Sequence, residues 1–273
     1  MTIQFQQAHP AIQFLLVVAL LYLVLCLLAL VVARPMMFPA PASSYDKSYP
    51  TVTLRTADGL AVAGLFLENP SARLTLLFSH GNGEDIGYAN EFLLELRDMG
   101  FSVFAYDYPG YGLSEGSPTE AGCYHSAEAA YSYLVKDRGI DPSTILLHGR
   151  SLGAGPSLEL ASKHPVGGVI MESAFVTAFR VLTRITFFPF DQFRNLDKIP
   201  KINCPSLIIH GERDEVVPFW HGQRLHEAAP EPKTFLSLPE ASHNDVRSVG
   251  GTTYSNAIRS FADSLSTAKV DAP

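Results

Sequence analysis

Residues 145–156 read ILLHGRSLGAGP: a short apolar run, the pentapeptide Gly149-Arg150-Ser151-Leu152-Gly153, then small residues at helical spacing. A strand that turns sharply into a helix holds a serine clear of the sheet in a left-handed backbone conformation. Glycines on either side keep strand and helix from colliding there. The pentapeptide alone is a weak signal. Its place between a buried strand and a helix is what points to an activated serine at Ser151.

Working outward, the flanking chain alternates strand-like and helix-like segments. Thr51–Ala57 and Leu60–Leu67, separated by Asp58-Gly59, predict an antiparallel hairpin. Leu74–Phe78, Ser102–Tyr106, Ile145–Leu147, Val169–Met171, Leu207–Ile209 and Thr234–Leu238 predict further strands. Helices are expected over Asn90–Met99, Thr119–Val135 and Tyr254–Leu265. This alternation implies an α/β domain with a mostly parallel sheet covered on both faces. About 30 residues between Met171 and Ser206 exceed what a strand–helix connection needs. They are rich in phenylalanine (Phe175, Phe179, Phe187, Phe188, Phe190, Phe193) and predict a small lid at about 173–204. Either that lid forms an apolar substrate pocket or its aromatics are only its own core.

The chain has 273 residues, of which 47% are hydrophobic and 17% charged. Much of the apolar excess lies in residues 11–33, AIQFLLVVALLYLVLCLLALVVA, a run of 23 without a charge. As a helix it spans about 35 Å, close to a bilayer's hydrocarbon thickness. A cleaved signal peptide fits less well, because its apolar region is shorter and follows Lys or Arg, which residues 1–10 lack. The expected organisation is a tail at 1–10, a transmembrane helix at 11–33, a Pro/Ser-rich linker at 34–50, an α/β domain at 51–268 and a tail at 269–273. Arg34, Lys47 and Arg55 follow the span, which by the positive-inside tendency puts the domain on the cytoplasmic side. With Cys26 inside the span, Cys123 and Cys204 make no disulfide framework. A net charge of −7 without a run of Lys and Arg argues against a nucleic-acid partner. No HExxH, paired CxxC or Gly-rich phosphate loop suggests a metal or nucleotide cofactor.

A serine hydroxyl needs a base to take its proton and a carboxylate to hold that base in one tautomer. In this architecture the order is serine, acid, histidine, each in a loop after a strand. Asp214 follows the strand ending at Ile209, and His243 follows the strand ending at Leu238. Asp245 stands too close to His243 in sequence to reach behind its ring, and Asp107 is expected to hold the Gly-rich turn that follows it. His148 and His210 at strand ends read as packing residues; His164, His221 and His226 on helical stretches read as solvated. A tetrahedral oxyanion is met in this fold by main-chain N–H groups. The expected donors are Leu152, next to the serine, and Asn82, in the loop Ser79-His80-Gly81-Asn82-Gly83.

The stretches FSHGNGED (78–85), YDYPGYGLSEG (106–116), LLHGRSLGAGP (146–156), MESAF (171–175) and IIHGERDEVVP (208–218), with the His243 loop, resemble the α/β-hydrolase superfamily. The resemblance covers about residues 50–265. More narrowly, the chain resembles the membrane-anchored Bem-type serine hydrolases, whose eukaryotic relatives include protein depalmitoylases. It implies cofactor-free serine hydrolysis with Ser151, Asp214 and His243 as catalytic residues. An acyl ester or thioester is the expected substrate, and the bilayer the expected partner of the N-terminal helix. A serine peptidase, or a non-catalytic membrane-anchored binding protein on the same fold, are the alternatives.

Overall fold

The structure is a computed structural model that describes residues 9–267. The C-terminal tail, and all but the end of the N-terminal tail, lie outside the described residues. The chain divides into two units, the first ending at Met37 and the second beginning at Phe38.

The first unit is helix α1, Pro10–Met37, long and apolar enough to cross a membrane and exposed along nearly all of its length. It runs past the expected end at residue 33 through Arg34 and Pro35. Pro35 removes one amide donor, and the helix stops two residues later.

The second unit is built on an eight-stranded sheet in the order β1-β2-β4-β3-β5-β6-β7-β8. Strands β1 (Val52–Arg55), β2 (Ala61–Leu67), β3 (Thr75–Ser79) and β4 (Ser102–Tyr106) form one half. Strands β5 (Ile145–Arg150), β6 (Gly168–Glu172), β7 (Ser206–Gly211) and β8 (Lys233–Leu238) form the other. The β1–β2 and β2–β4 pairs are antiparallel, and every pair from β4 across to β8 is parallel. The predicted hairpin and parallel sheet both appear. Strand β5 continues three residues beyond the apolar run, because His148, Gly149 and Arg150 pair in register with Ile170, Met171 and Glu172 of β6.

Central strands β3 to β7 are almost wholly buried, which is why they read as continuous apolar runs. Alternate side chains divide between the two faces. Leu76, Phe78, Leu146, Ile170 and Leu207 pack with Phe92, Leu93 and Leu96 of α2 (Asn90–Asp98) and with Tyr254, Ile258 and Phe261 of α8 (Val246–Thr267). Helices α3 (Glu120–Ser132) and α4 (Ala154–Lys163) pack on each other and on the sheet. Thr119 caps α3 by accepting the Gly122 N–H at 2.9 Å. Helix α8 starts eight residues before its expected position, where the Asp245 carbonyl accepts the Val249 N–H, and it is interrupted at Gly251.

Residues 173–204 carry two short helices, α5 (Ala178–Thr183) and α6 (Asn195–Lys198), and α7 (Trp220–Ala228) follows β7. Residues 38–49, within the linker expected at 34–50, lie on the domain: Phe38 is buried beside Phe193, and Ser44 and Tyr45 bond to Asp85 and Asp107. Proline content signals missing amide donors; it does not distinguish an unpacked chain from one held by side chains.

Candidate active site

Chain order places β3 between β4 and β5, so the chain leaves β3 to one side and returns to its other side. That reversal opens a crevice at the carboxyl ends of β3 and β5. The loop 79–83 leaves one of those ends and Ser151 leaves the other.

Ser151 has φ +51°, the left-handed conformation expected of the elbow. The glycines around it are steric necessities. A Cβ on Gly149 would lie 2.6 Å from the Ala154 Cα, and a Cβ on Gly153 would lie 2.9 Å from the His80 carbonyl oxygen and still nearer the Ser79 carbonyl. The start of α4 therefore rests directly on the backbone after β3. This contact sets the short helical turn Ser151–Gly153 against Ser79 and His80, where the loop that contains Asn82 begins.

The loops that carry Asp214 and His243 are laced together. Glu212 N–H donates to the Leu238 carbonyl and Arg213 N–H to the Ala241 carbonyl, each at 3.0 Å. At Gly211 an added Cβ would strike the Ala241 carbonyl, so only glycine allows the crossing. His243 Nδ1 stands 2.7 Å from Asp214 Oδ2, and His243 Nε2 stands 3.0 Å from Ser151 Oγ. Asp214 Oδ1 accepts the N–H groups of Val216 (3.0 Å) and Val217 (2.6 Å). Burial would raise the Asp214 carboxyl. Hydrogen bonds from His210 and His243, the charge of His243 and the Val217 N–H outweigh it and hold the carboxyl well below the usual range. A serine, an imidazole and an ionised carboxylate thus lie in hydrogen-bonded series.

A family model described as "Serine aminopeptidase, S33" matches residues 70–187. Human alpha/beta hydrolase domain-containing protein 17B is 42% identical over 201 residues, 72% of this chain and 69% of the relative. Alpha/beta hydrolase domain-containing protein aho-3 of Caenorhabditis elegans is 38% identical over 208 residues, 75% of this chain and 62% of that one. The chain belongs to the α/β-hydrolase superfamily. Among solved structures, the Pyrococcus furiosus esterase Pf2001 superposes with a TM-score of 0.71 at 18% identity, covering 83% of this chain and 98% of the esterase. An α/β hydrolase from Vibrio vulnificus superposes with a TM-score of 0.63 at 25% identity, covering 77% and 80%. The hydrolase is of the protein 17 type, and it is a serine hydrolase.

Several other charged and histidine side chains of the hydrolase stand where sequence did not put them. Asp107 lies against Gly112 of the turn that follows it and is linked to Leu113 there through the Tyr45 hydroxyl, but it serves more than that turn. Its Oδ1 accepts the Ile86 N–H at 2.9 Å and its Oδ2 the Tyr45 hydroxyl. His221 is not solvated: it is buried, its Nδ1 accepts the Val176 N–H at 3.1 Å, and Trp220 stacks on it at 3.7 Å. Burial, with His210 and Arg180 nearby, lowers it to about 3. His210 does more than pack. Its Nε2 lies 2.9 Å from the Val217 carbonyl and 3.4 Å from Asp214 Oδ2, so it braces the acid loop. His164 is partly buried and contacts Glu128 Oε2 at 2.8 Å; His226 is also only partly exposed. Asp245 accepts the Ser242 N–H at 2.6 Å and closes the histidine loop.

A buried polar network beneath the serine escaped sequence reading altogether. Glu84 Oε1 accepts the Gly81 N–H at 2.7 Å, and its Oε2 lies 3.5 Å from Arg150 Nη1. Glu172 Oε2 accepts the Tyr254 hydroxyl at 2.6 Å and lies 3.3 Å from His148 Nε2. Burial opposes ionisation of Glu172, but His148, Arg150 and Tyr254 more than offset it and bring the carboxyl down to about 2. Burial also opposes the Arg150 charge, which Glu84 and Glu172 restore and strengthen. Glu84 and Glu172 lie within the motif stretches, yet neither has a periodic or spacing signal that marks its partner.

The phenylalanines of 173–204 divide into two groups. Phe175 and Phe193 are buried and meet each other, with Phe193 also meeting Tyr124. Phe179, Phe187, Phe188 and Phe190 form a separate aromatic cluster. Beside it Leu182 (68%), Ile185 (62%) and Phe187 (41%) are exposed.

Proposed function

We propose that the hydrolase cleaves carboxylic ester or thioester bonds of acyl lipids or acylated proteins through an acyl-enzyme on Ser151. Ser151 Oγ attacks the acyl carbonyl while His243 Nε2 takes its proton. The N–H groups of Leu152 and Asn82 meet the oxyanion. As the tetrahedral adduct collapses, His243 returns the proton to the leaving oxygen or sulfur. Water then attacks the acyl-enzyme with His243 again as base, and the acid is released. Asp214 keeps the Nδ1 proton in place and stabilises the imidazolium. The reading is carried by the hydrogen-bonded series Ser151–His243–Asp214 at 3.0 and 2.7 Å.

The exposed Leu182, Ile185 and Phe187 favour an acyl chain over a small polar group. Helix α1 would anchor the protein, holding the catalytic domain near acylated substrates, on the cytoplasmic side given Arg34, Lys47 and Arg55 after the span. The test is hydrolysis by the full-length protein, in detergent, of oxygen and sulfur esters across acyl lengths, together with labelling by a fluorophosphonate. The reading expects a covalent adduct on Ser151 and preference for long chains; absence of the adduct in folded protein removes it.

Peptide-bond cleavage is the second reading, favoured by the description of the matching family model. Faster turnover of aminoacyl p-nitroanilides than of any ester in the same panel would establish it instead.

A further inference from the structure

The segment between the apolar helix and the first strand is hydrogen-bonded to Asp85, just past the loop that carries Asn82, and to Asp107. The Ser44 N–H donates to Asp85 Oδ2 at 2.8 Å, and the Ser44 hydroxyl donates to the same carboxylate. Asp85 Oδ1 in turn accepts the Tyr88 N–H at 2.9 Å. The Tyr45 hydroxyl donates to Asp107, whose other oxygen takes the Ile86 N–H, and it accepts the Leu113 N–H at 3.2 Å. Burial and the Asp107 carboxylate keep the Tyr45 phenol protonated. The Tyr111 hydroxyl donates to the Asn82 carbonyl at 2.8 Å.

Close packing supports these bonds. At Gly87 a Cβ would lie 2.7 Å from Tyr45 Cδ1, and at Gly112 it would lie 2.7 Å from Tyr45 Cε1. Tyr45 therefore passes over two backbone positions that only glycine can occupy. Tyr49 packs against it with ring centroids 5.0 Å apart and the rings tilted by 43°. At the other end Phe38 is buried against Phe193 at 6.0 Å.

We propose that residues 38–49 act as a positioning strap for the oxyanion loop, with Ser44 and Tyr45 as its positioning residues. The inference rests on the reading of Asn82 as an oxyanion donor. Asn82 has no side-chain bond of its own aiming its amide at Ser151 among the contacts described. Its orientation comes from its neighbours: Gly81 is fixed by Glu84, its own carbonyl by Tyr111, and residues 85–88 by Asp85 and Asp107. The strap engages two of those supports, Asp85 and Asp107. An amide held in advance stabilises the oxyanion without reorganising, whereas one that drifts by about 1 Å loses much of that benefit. The strap thus acts on the transition state rather than on substrate binding.

The test uses the full-length protein in detergent with a short p-nitrophenyl ester that the proposed lid does not discriminate. Ser44→Ala/Tyr45→Phe removes both hydroxyls while keeping the ring. The strap predicts a fall in kcat of about tenfold with KM within about twofold, because removing an oxyanion donor outright costs about 100- to 1000-fold and loosening one costs less. Affinity for a boronic acid that forms a tetrahedral adduct on Ser151 should weaken in parallel. Ser44→Thr, which keeps a hydroxyl, should recover most of the loss due to Ser44→Ala. Unchanged kcat in the double variant overturns the proposal. So does a loss of activity that tracks a loss of folded protein by thermal melting, or one that appears in KM alone. Failure of the serine-hydrolase reading beneath both is separately visible, since Ser151→Ala would then remain active.

Discussion

Around Ser151, backbone lies against backbone: Gly153 admits no Cβ beside the Ser79 and His80 carbonyls, and Gly149 admits none beside α4. In residues 173–204, by contrast, Leu182, Ile185 and Phe187 meet solvent and the aromatic rings pack chiefly on one another. The floor of the crevice has no slack, because main chain meets main chain there with no room for a Cβ. The phenylalanine-rich segment carries surface that a substrate or bilayer can cover. The proposed function thus puts chemistry and selectivity in regions with opposite tolerance for change, and each of the following substitutions probes that division.

The largest effect is expected at Ser151. Ser151→Ala should lower kcat by about 10⁴-fold or more while leaving the melting temperature near that of the wild type. An active variant would place the chemistry elsewhere and dissolve the contrast. Gly153→Ala comes next, and it should cost about 3 kcal/mol of stability or prevent folding, read by urea denaturation. A well-folded Gly153→Ala protein would mean that the floor has the slack denied to it.

Glu172→Gln removes a buried carboxylate from beside His148 and Arg150 and should cost about 3 kcal/mol at neutral pH. It should also change acid stability. The Glu172 carboxyl is depressed from its usual 4.5 to about 2, so the unfolded chain binds its proton more readily than the folded protein. The stability it contributes is complete above about pH 4.5 and is lost as pH falls toward 2. Urea midpoints across that window should decline less steeply in Glu172→Gln than in wild type; equal slopes would remove the electrostatic account.

The smallest effect on stability belongs to the phenylalanine-rich segment. Leu182→Ser/Ile185→Ser should leave stability within about 0.5 kcal/mol and should reduce the preference for long over short acyl esters by about tenfold. A uniform loss across chain lengths would instead tie this segment to the floor.

Much of the sheet was legible because central strands are apolar runs and turns are marked by glycine. The meeting of Ser151, Asp214 and His243 was legible for a related reason: each stands just past the end of a strand, and parallel strands bring such ends to one edge. What escaped were contacts joining positions without any period between them. Glu84 with Arg150, and Glu172 with Tyr254, are 66 and 82 residues apart, and nothing local distinguishes them from solvated charges. His221 read as solvated because its helix carries polar neighbours, yet its ring turns inward to meet the Val176 amide. Residues 38–49 read as a spacer because proline and serine suit an exposed chain, while Tyr45 and Phe38 supply the packing that composition conceals.

Gly153 has a further consequence. Since a main-chain contact rather than any side chain sets how near α4 comes to the turn after β3, the gap between the two works as a fixed caliper. Residues of 173–204 can be exchanged without resetting that gap, so on the proposed function selectivity can change while the geometry at Ser151 stays fixed.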